Sequence, residues 1–157
     1  MAVIGMSGCV PGADDIDAFW QLLLSGQDGV SELPPEFTGT RRGGLINGKD
    51  AFDALFFVLS PLEANAMHPH QRLVLEHGYL ALLDAGINPK RLAGEPAGVF
   101  IGAEPTGFFQ DSFTGASEAI IASRLAYFLN LKRPGVSREY GLFLVGGGDT
   151  FSLCEFA

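Results

Sequence analysis

Two cysteines, three histidines and a few clustered glycines and aspartates are the residues from which this sequence could build chemistry. A thiol acts as a nucleophile when a base and an electropositive setting lower its pKa. Cys154 has no base beside it in sequence, and Cys9 falls in a loop after the first apolar stretch. Neither is expected to act. The two thiols lie far apart without CxxC spacing, so neither a zinc site nor a disulfide framework can be read. A single bridge between them stays open in principle, with free thiols in a reducing cytosol as the default. His70 and His77 stand seven apart, as two metal ligands on one helical face would. No carboxylate or thiol completes a set with them, and His68 and His70 flank Pro69 at a helix start, where capping accounts for them. Gly5, Gly8 and Gly12 do not make GxGxxG, and Pro11 interrupts them; Gly146–Gly148 lack a following Lys-Ser/Thr. Both clusters read as close packing or tight turns. Asp14, Asp15 and Asp17 read as helix-capping carboxylates rather than an acid–base pair. Phe108, Phe109 and Phe113 could line an apolar channel, but core or contact roles are favoured. No catalytic, cofactor-binding or metal-binding residue is therefore expected.

The elements that would hold these residues follow from patterning. Ala2–Met6 is short, apolar and followed by Gly8, Pro11 and Gly12, which predicts a buried strand. Asp14 or Asp15 then caps a helix with Ile16, Phe19, Trp20 and Leu23 on one face, and Gly26 stops it. Residues 29–49 are loop-like, with Pro34-Pro35 and Gly43-Gly44. Ser60-Pro61-Leu62-Glu63 has the form of a capping box with proline at the first helical position. A longer helix runs from Pro69 to Gly86 and carries apolar residues in most directions, so burial on several sides is expected. Gly98–Gly102 predicts a second buried strand, 117–130 a further helix, and Tyr140–Val145 a last strand. Alternating strands and helices imply an α/β layered architecture.

Composition narrows the classes of function. Of the 157 residues, 47% are hydrophobic and only 18% charged, with thirteen Phe. About a quarter charged is usual, so either the core is unusually dry or a surface made for another chain is exposed. A net charge of −8 with ten basic residues excludes nucleic acid as a partner. No apolar run reaches membrane-spanning length, and the N-terminus lacks the basic segment of a signal peptide, so a cytoplasmic protein is expected.

Several stretches, in order and suitably spaced, resemble one family. Val3-Ile4-Gly5-Met6-Ser7-Gly8, Pro11-Gly12-Ala13-Asp14 and Phe19-Trp20 are similar to the opening of modular polyketide-synthase ketosynthases. Phe52-Asp53, Phe56-Phe57, Leu59-Ser60-Pro61 and Glu63-Ala64 resemble the segment that follows. Met67-His68-Pro69-His70-Gln71-Arg72, Leu75-Glu76 and Leu82-Leu83-Asp84-Ala85-Gly86 resemble the family's long helix. Gly98–Gly102 resembles its next strand, and Ala122–Leu129 with Leu131-Lys132 and Pro134 resembles the helix leading toward the active site. The resemblance implies a partial thiolase-like fold. Complete members condense acyl and malonyl units carried on the phosphopantetheine of acyl carrier protein.

The departures bear on function. Family members run from this helix into Thr-Ala-Cys-Ser-Ser-Ser, whose cysteine takes the acyl chain. Here Gly135–Glu139 leads to Leu142-Phe143-Leu144-Val145-Gly146-Gly147, which resembles a strand beyond the nucleophile's helix. The chain therefore divides into residues 1–134, ketosynthase N-terminal-like, and 135–157, a shortened tail without the nucleophile segment. It ends before the half that holds the family's two catalytic histidines. The expectation is a catalytically incompetent domain without a cofactor, acting as a scaffold, docking or dimerisation element. It would associate with itself or with other polyketide-synthase domains, acyl carrier protein among them. The alternatives are part of an active β-ketoacyl-acyl-carrier-protein synthase completed by segments elsewhere, and a small binding protein that reuses the fold for an acyl or pantetheine ligand.

Overall fold

The computed structural model describes residues 2–35, 41–48, 51–101 and 120–132. Helix α1 spans Ile16–Ser25; the Asp15 carboxylate accepts from Ala18 N–H at its start, and Gly26 closes it at φ 65°. Its predicted face is only partly covered. Ile16 and Phe19 are half-buried, whereas Trp20 and Leu23 are 58% and 54% exposed.

The stretch read as loop contains a minimal antiparallel ribbon of β1 (Ser31–Glu32) and β2 (Arg42–Gly43), pairing Ser31 with Gly43 and Glu32 with Arg42. Helix α2 (Pro61–Ala66) begins as predicted, with Ser60 Oγ accepting from Glu63 N–H and Pro61 at its first position. The Glu63 carboxylate reaches across to Arg124 Nη1 at 2.8 Å.

Helix α3 (Pro69–Asp84) is the longest element. Its buried residues are Gln71, Val74, Leu75, Gly78, Ala81 and Leu82, a single stripe at helical spacing. This corrects the expectation of burial on several sides, since Leu80 and Leu83 on other faces are about half exposed. A short 3-10 turn at Pro89–Leu92 leads into an irregular stretch to Ile101, and the next described element is helix α4 (Ile120–Phe128).

Helices α3 and α4 pack through the core of Phe57, Met67, Val74, Leu75, Leu82, Ile121, Leu125 and Leu129. Gly78 sets the spacing. A Cβ there would stand 2.6 Å from Leu125 Cδ2, so the two helices meet where one has no side chain. The rings of Phe52, Phe57, Tyr79 and Phe128 close one side of this core, with Phe52 and Phe57 stacked at 5.2 Å.

Two predicted strands are not strands here. Ala2–Met6 belongs to no ladder among the described residues, and Val3, Ile4 and Met6 are 64%, 57% and 56% exposed rather than buried. Gly98–Ile101 is likewise irregular and half-buried, with Phe100 43% exposed. A strand exists only through bonds to a neighbouring strand, and among the described residues nothing forms a ladder with either segment. The predicted strand Tyr140–Val145 lies outside the described residues.

Candidate functional site

The N-terminal segment runs antiparallel along the second half of α3, and this placement brings chemistry together. Gly5 lies so close to Ala81 and Ala85 that a Cβ would collide with the Ala81 carbonyl and the Ala85 methyl. Met6 N–H donates to Asp84 Oδ2 at 2.8 Å. One turn back along α3 from Ala81, at i, i+4 spacing, stands His77. Its Nδ1 lies 2.8 Å from Ser7 Oγ, and its Nε2 lies 3.2 Å from Cys9 Sγ. The loop is held in register by paired bonds between Val10 and Ala13, both 2.9 Å, around Gly12 at φ 84°. A residue with a side chain would be strained at that φ.

The result is a thiol, an imidazole and a hydroxyl in line, the order in which a nucleophile, its base and an orienting group are met in covalent catalysis. Cys9 is buried; Ser7 and His77 are half-buried. Burial holds the His77 pKa below its ordinary value, which favours the neutral ring. A neutral imidazole has one N–H. In the tautomer whose Nε2 accepts from the thiol, Nδ1 carries the proton and donates to Ser7 Oγ.

The sequence assigns Cys9 no catalytic role, placing it only in the loop after the first apolar stretch. The partners lie 68 and 70 positions away in sequence, and no local spacing announces them. The glycines beside the thiol do match their sequence reading: Gly5 permits close packing and Gly12 a tight turn.

The other histidines are occupied differently. His68 caps α3, its Nδ1 accepting from His70 N–H at 3.0 Å, and the two rings meet edge to face at 4.4 Å. Burial, then the neighbouring His70 and Arg72 charges, lowers the His68 pKa to about 4. His70 and His77 share no ligand set, and among the described residues no three His, Cys, Asp or Glu side chains cluster as metal ligands would. Asp15 caps α1, and Asp14 Oδ1 accepts from Asn47 Nδ2 at 3.2 Å. Cys154, Gly146–Gly148, Phe108, Phe109, Phe113 and the proposed tail 135–157 lie outside the described residues.

The family model described as beta-ketoacyl synthase, N-terminal domain, matches residues 1–139. The chain belongs to the β-ketoacyl synthase family. Among its relatives, polyketide synthase ThaG of Burkholderia thailandensis is 41% identical over 149 residues, covering 87% of this chain and 3% of ThaG. The fatty acid synthase of the goose Anser anser anser is 35% identical over 153 residues, covering 87% of this chain and 44% of that sequence. The ketosynthase from module 6 of the Bacillus subtilis 168 bacillaene synthase superposes with a TM-score of 0.76 at 34% identity, covering 85% of this chain and 25% of that one. The chain thus spans a quarter of that ketosynthase structure and a few per cent of the whole synthase ThaG. Its fold is a partial thiolase-like α/β fold, and the chain is a stretch of polyketide-synthase ketosynthase domain. No helix among the described residues is long and apolar enough to cross a membrane.

Proposed function

We propose that this ketosynthase segment does not itself catalyse condensation and serves as a scaffold, docking or dimerisation element of a polyketide-synthase assembly line. The observation that carries the reading is in the sequence. Between Pro134 and the Leu142–Gly147 segment, where the family places Thr-Ala-Cys-Ser-Ser-Ser, only residues 135–141 intervene. A decarboxylative condensation needs an acylated nucleophile together with donors for the enolate and the tetrahedral oxyanion. The Cys9 pair does not supply such a set. Val10 N–H, the backbone donor directly after the thiol's residue, is committed to Ala13 O at 2.9 Å.

The exposed apolar surface supports a docking role. Val3, Ile4, Met6, Trp20, Leu23 and Leu24 are all more than half exposed, and an apolar surface of that kind marks a contact to another chain or segment. Other polyketide-synthase domains, acyl carrier protein and a second copy are the partners proposed; no cofactor is proposed.

A second reading is that the segment belongs to a working ketosynthase completed by residues not in this chain. The family match running through residue 139 and the small share of each relative covered favour it. One experiment separates the two. The chain is incubated with a short acyl-pantetheine thioester and weighed intact, with Cys9→Ala and Cys154→Ala as controls. No adduct is expected. An acyl adduct lost in one cysteine variant would overturn the incompetent reading. The completed-enzyme reading requires condensation to appear when the remaining ketosynthase segments are co-expressed.

A further inference from the structure

The geometry points to a covalent modification site at Cys9: Cys9, His77 and Ser7 form a thiol centre that is oxidised by hydrogen peroxide to the sulfenic acid. The three groups are held at 3.2 Å (Sγ to Nε2) and 2.8 Å (Nδ1 to Oγ), within reach for direct proton transfer and for fixing the ring. A thiol buried among apolar groups alone is inert, because nothing takes its proton. Cys9 has an imidazole against its sulfur, neutral because burial disfavours its charge.

The step balances without any further reactant. His77 Nε2 accepts the Sγ proton, and the sulfur attacks one peroxide oxygen. The S–O bond forms as the O–O bond breaks. The sulfur loses two electrons and the peroxide gains them. The departing hydroxide takes the proton back from His77 and leaves as water. Ser7 accepts from Nδ1–H and so keeps Nε2 facing the sulfur; it is a positioning residue.

Three observations select a peroxide over larger or charged electrophiles. Cys9 is only 8% exposed, which disfavours a bulky reagent such as the arm of an acyl thioester. Acyl transfer needs donors for an oxyanion, and the adjacent Val10 N–H is already bonded. The net charge of −8 disfavours anionic oxidants. The proposal is independent of the scaffold reading, since it requires neither acylation nor condensation.

The test is the rate at which hydrogen peroxide converts Cys9 into a dimedone-trapped sulfenic acid, mapped by peptide mass spectrometry on the full chain in a Cys154→Ser background. The reference is the same chain unfolded in urea. The folded chain is expected to react about ten-fold faster than the unfolded one. In His77→Gln that advantage should vanish. Ser7→Ala should slow the reaction, and Ser7→Thr, which keeps the hydroxyl, should restore it. A merely structural serine would not distinguish these two. Folded Cys9 reacting no faster than unfolded Cys9, or His77→Gln matching the wild-type rate, would overturn the proposal. If circular dichroism shows His77→Gln unfolded, the folded-to-unfolded ratio and the Ser7 pair decide.

Discussion

Val58 sits at φ 57° with 86% of its surface exposed. The turn it closes has the bonds of a helix C-terminal Schellman motif: Leu59 N–H to Ala54 O at 2.8 Å and Val58 N–H to Leu55 O at 3.1 Å. The same pattern ends α3 at Gly86 (φ 71°) and α4 at Asn130 (φ 51°), both residue types that tolerate the left-handed region. A β-branched residue does not. Valine there costs about 1–2 kcal/mol in backbone strain, and it buries almost nothing in return. Val58→Gly or Val58→Asn is therefore expected to stabilise the chain by about 1 kcal/mol, raising its thermal midpoint by about 3 °C. A scanning-calorimetry midpoint that falls instead would mean that Val58 is covered in the assembled protein and that the side chain is kept for that contact.

At the scale of elements, α3 is the axis on which both the core and the Cys9 cluster depend, and its start rests on a histidine. His68 caps the helix through a neutral Nδ1, and its pKa of about 4 lies below the ordinary 6.5. Because the folded value is depressed, the stabilisation is complete above about pH 6.5 and is lost as pH falls through about pH 4. The loss is on the order of 1–2 kcal/mol once solvent shielding is allowed for. Urea midpoints measured across that window should fall more steeply for the wild type than for His68→Asn, which keeps the cap without the titration. Equal slopes would remove His68 from the account. His77, also held low by burial, moves stability in the same direction, so the variant should flatten the profile without abolishing it.

The helices were readable in the sequence because each carries local signals. Asp15, Ser60 with Pro61, Pro69 and Gly26 mark starts and stops, and the physics of a free N–H or a left-handed residue is settled within a few positions. The strands were not readable in this way. Ala2–Met6 and Gly98–Ile101 have the apolar composition of buried strands, but composition does not supply a partner, and among the described residues neither joins a ladder: Val3, Ile4 and Met6 are more than half exposed and Gly98–Ile101 is mostly half-buried.

For the molecule as a whole, the exposed apolar residues carry a large energetic cost. Leaving roughly 400 Å² of such surface wet forfeits about 10 kcal/mol, comparable to the entire net stability of a domain. The chain is accordingly expected to self-associate or to bind a partner in solution. Light scattering coupled to size exclusion should give a mass above 16.7 kDa when no partner is present. A stable monomer at that mass, with an ordinary thermal midpoint, would show that the remaining residues already cover this surface.

The sequence by itself determined the family and the helices, because these reside in residue types and short spacings. Only the tertiary structure decided that Cys9 has a base. The antiparallel run of residues 5–9 along α3, made possible by Gly5, Ala81 and Ala85, brings His77 to the sulfur from 68 positions away. The same packing decided which apolar faces stay open. Burial depends on what else is present to cover a face, and a periodic pattern records only that the face is apolar.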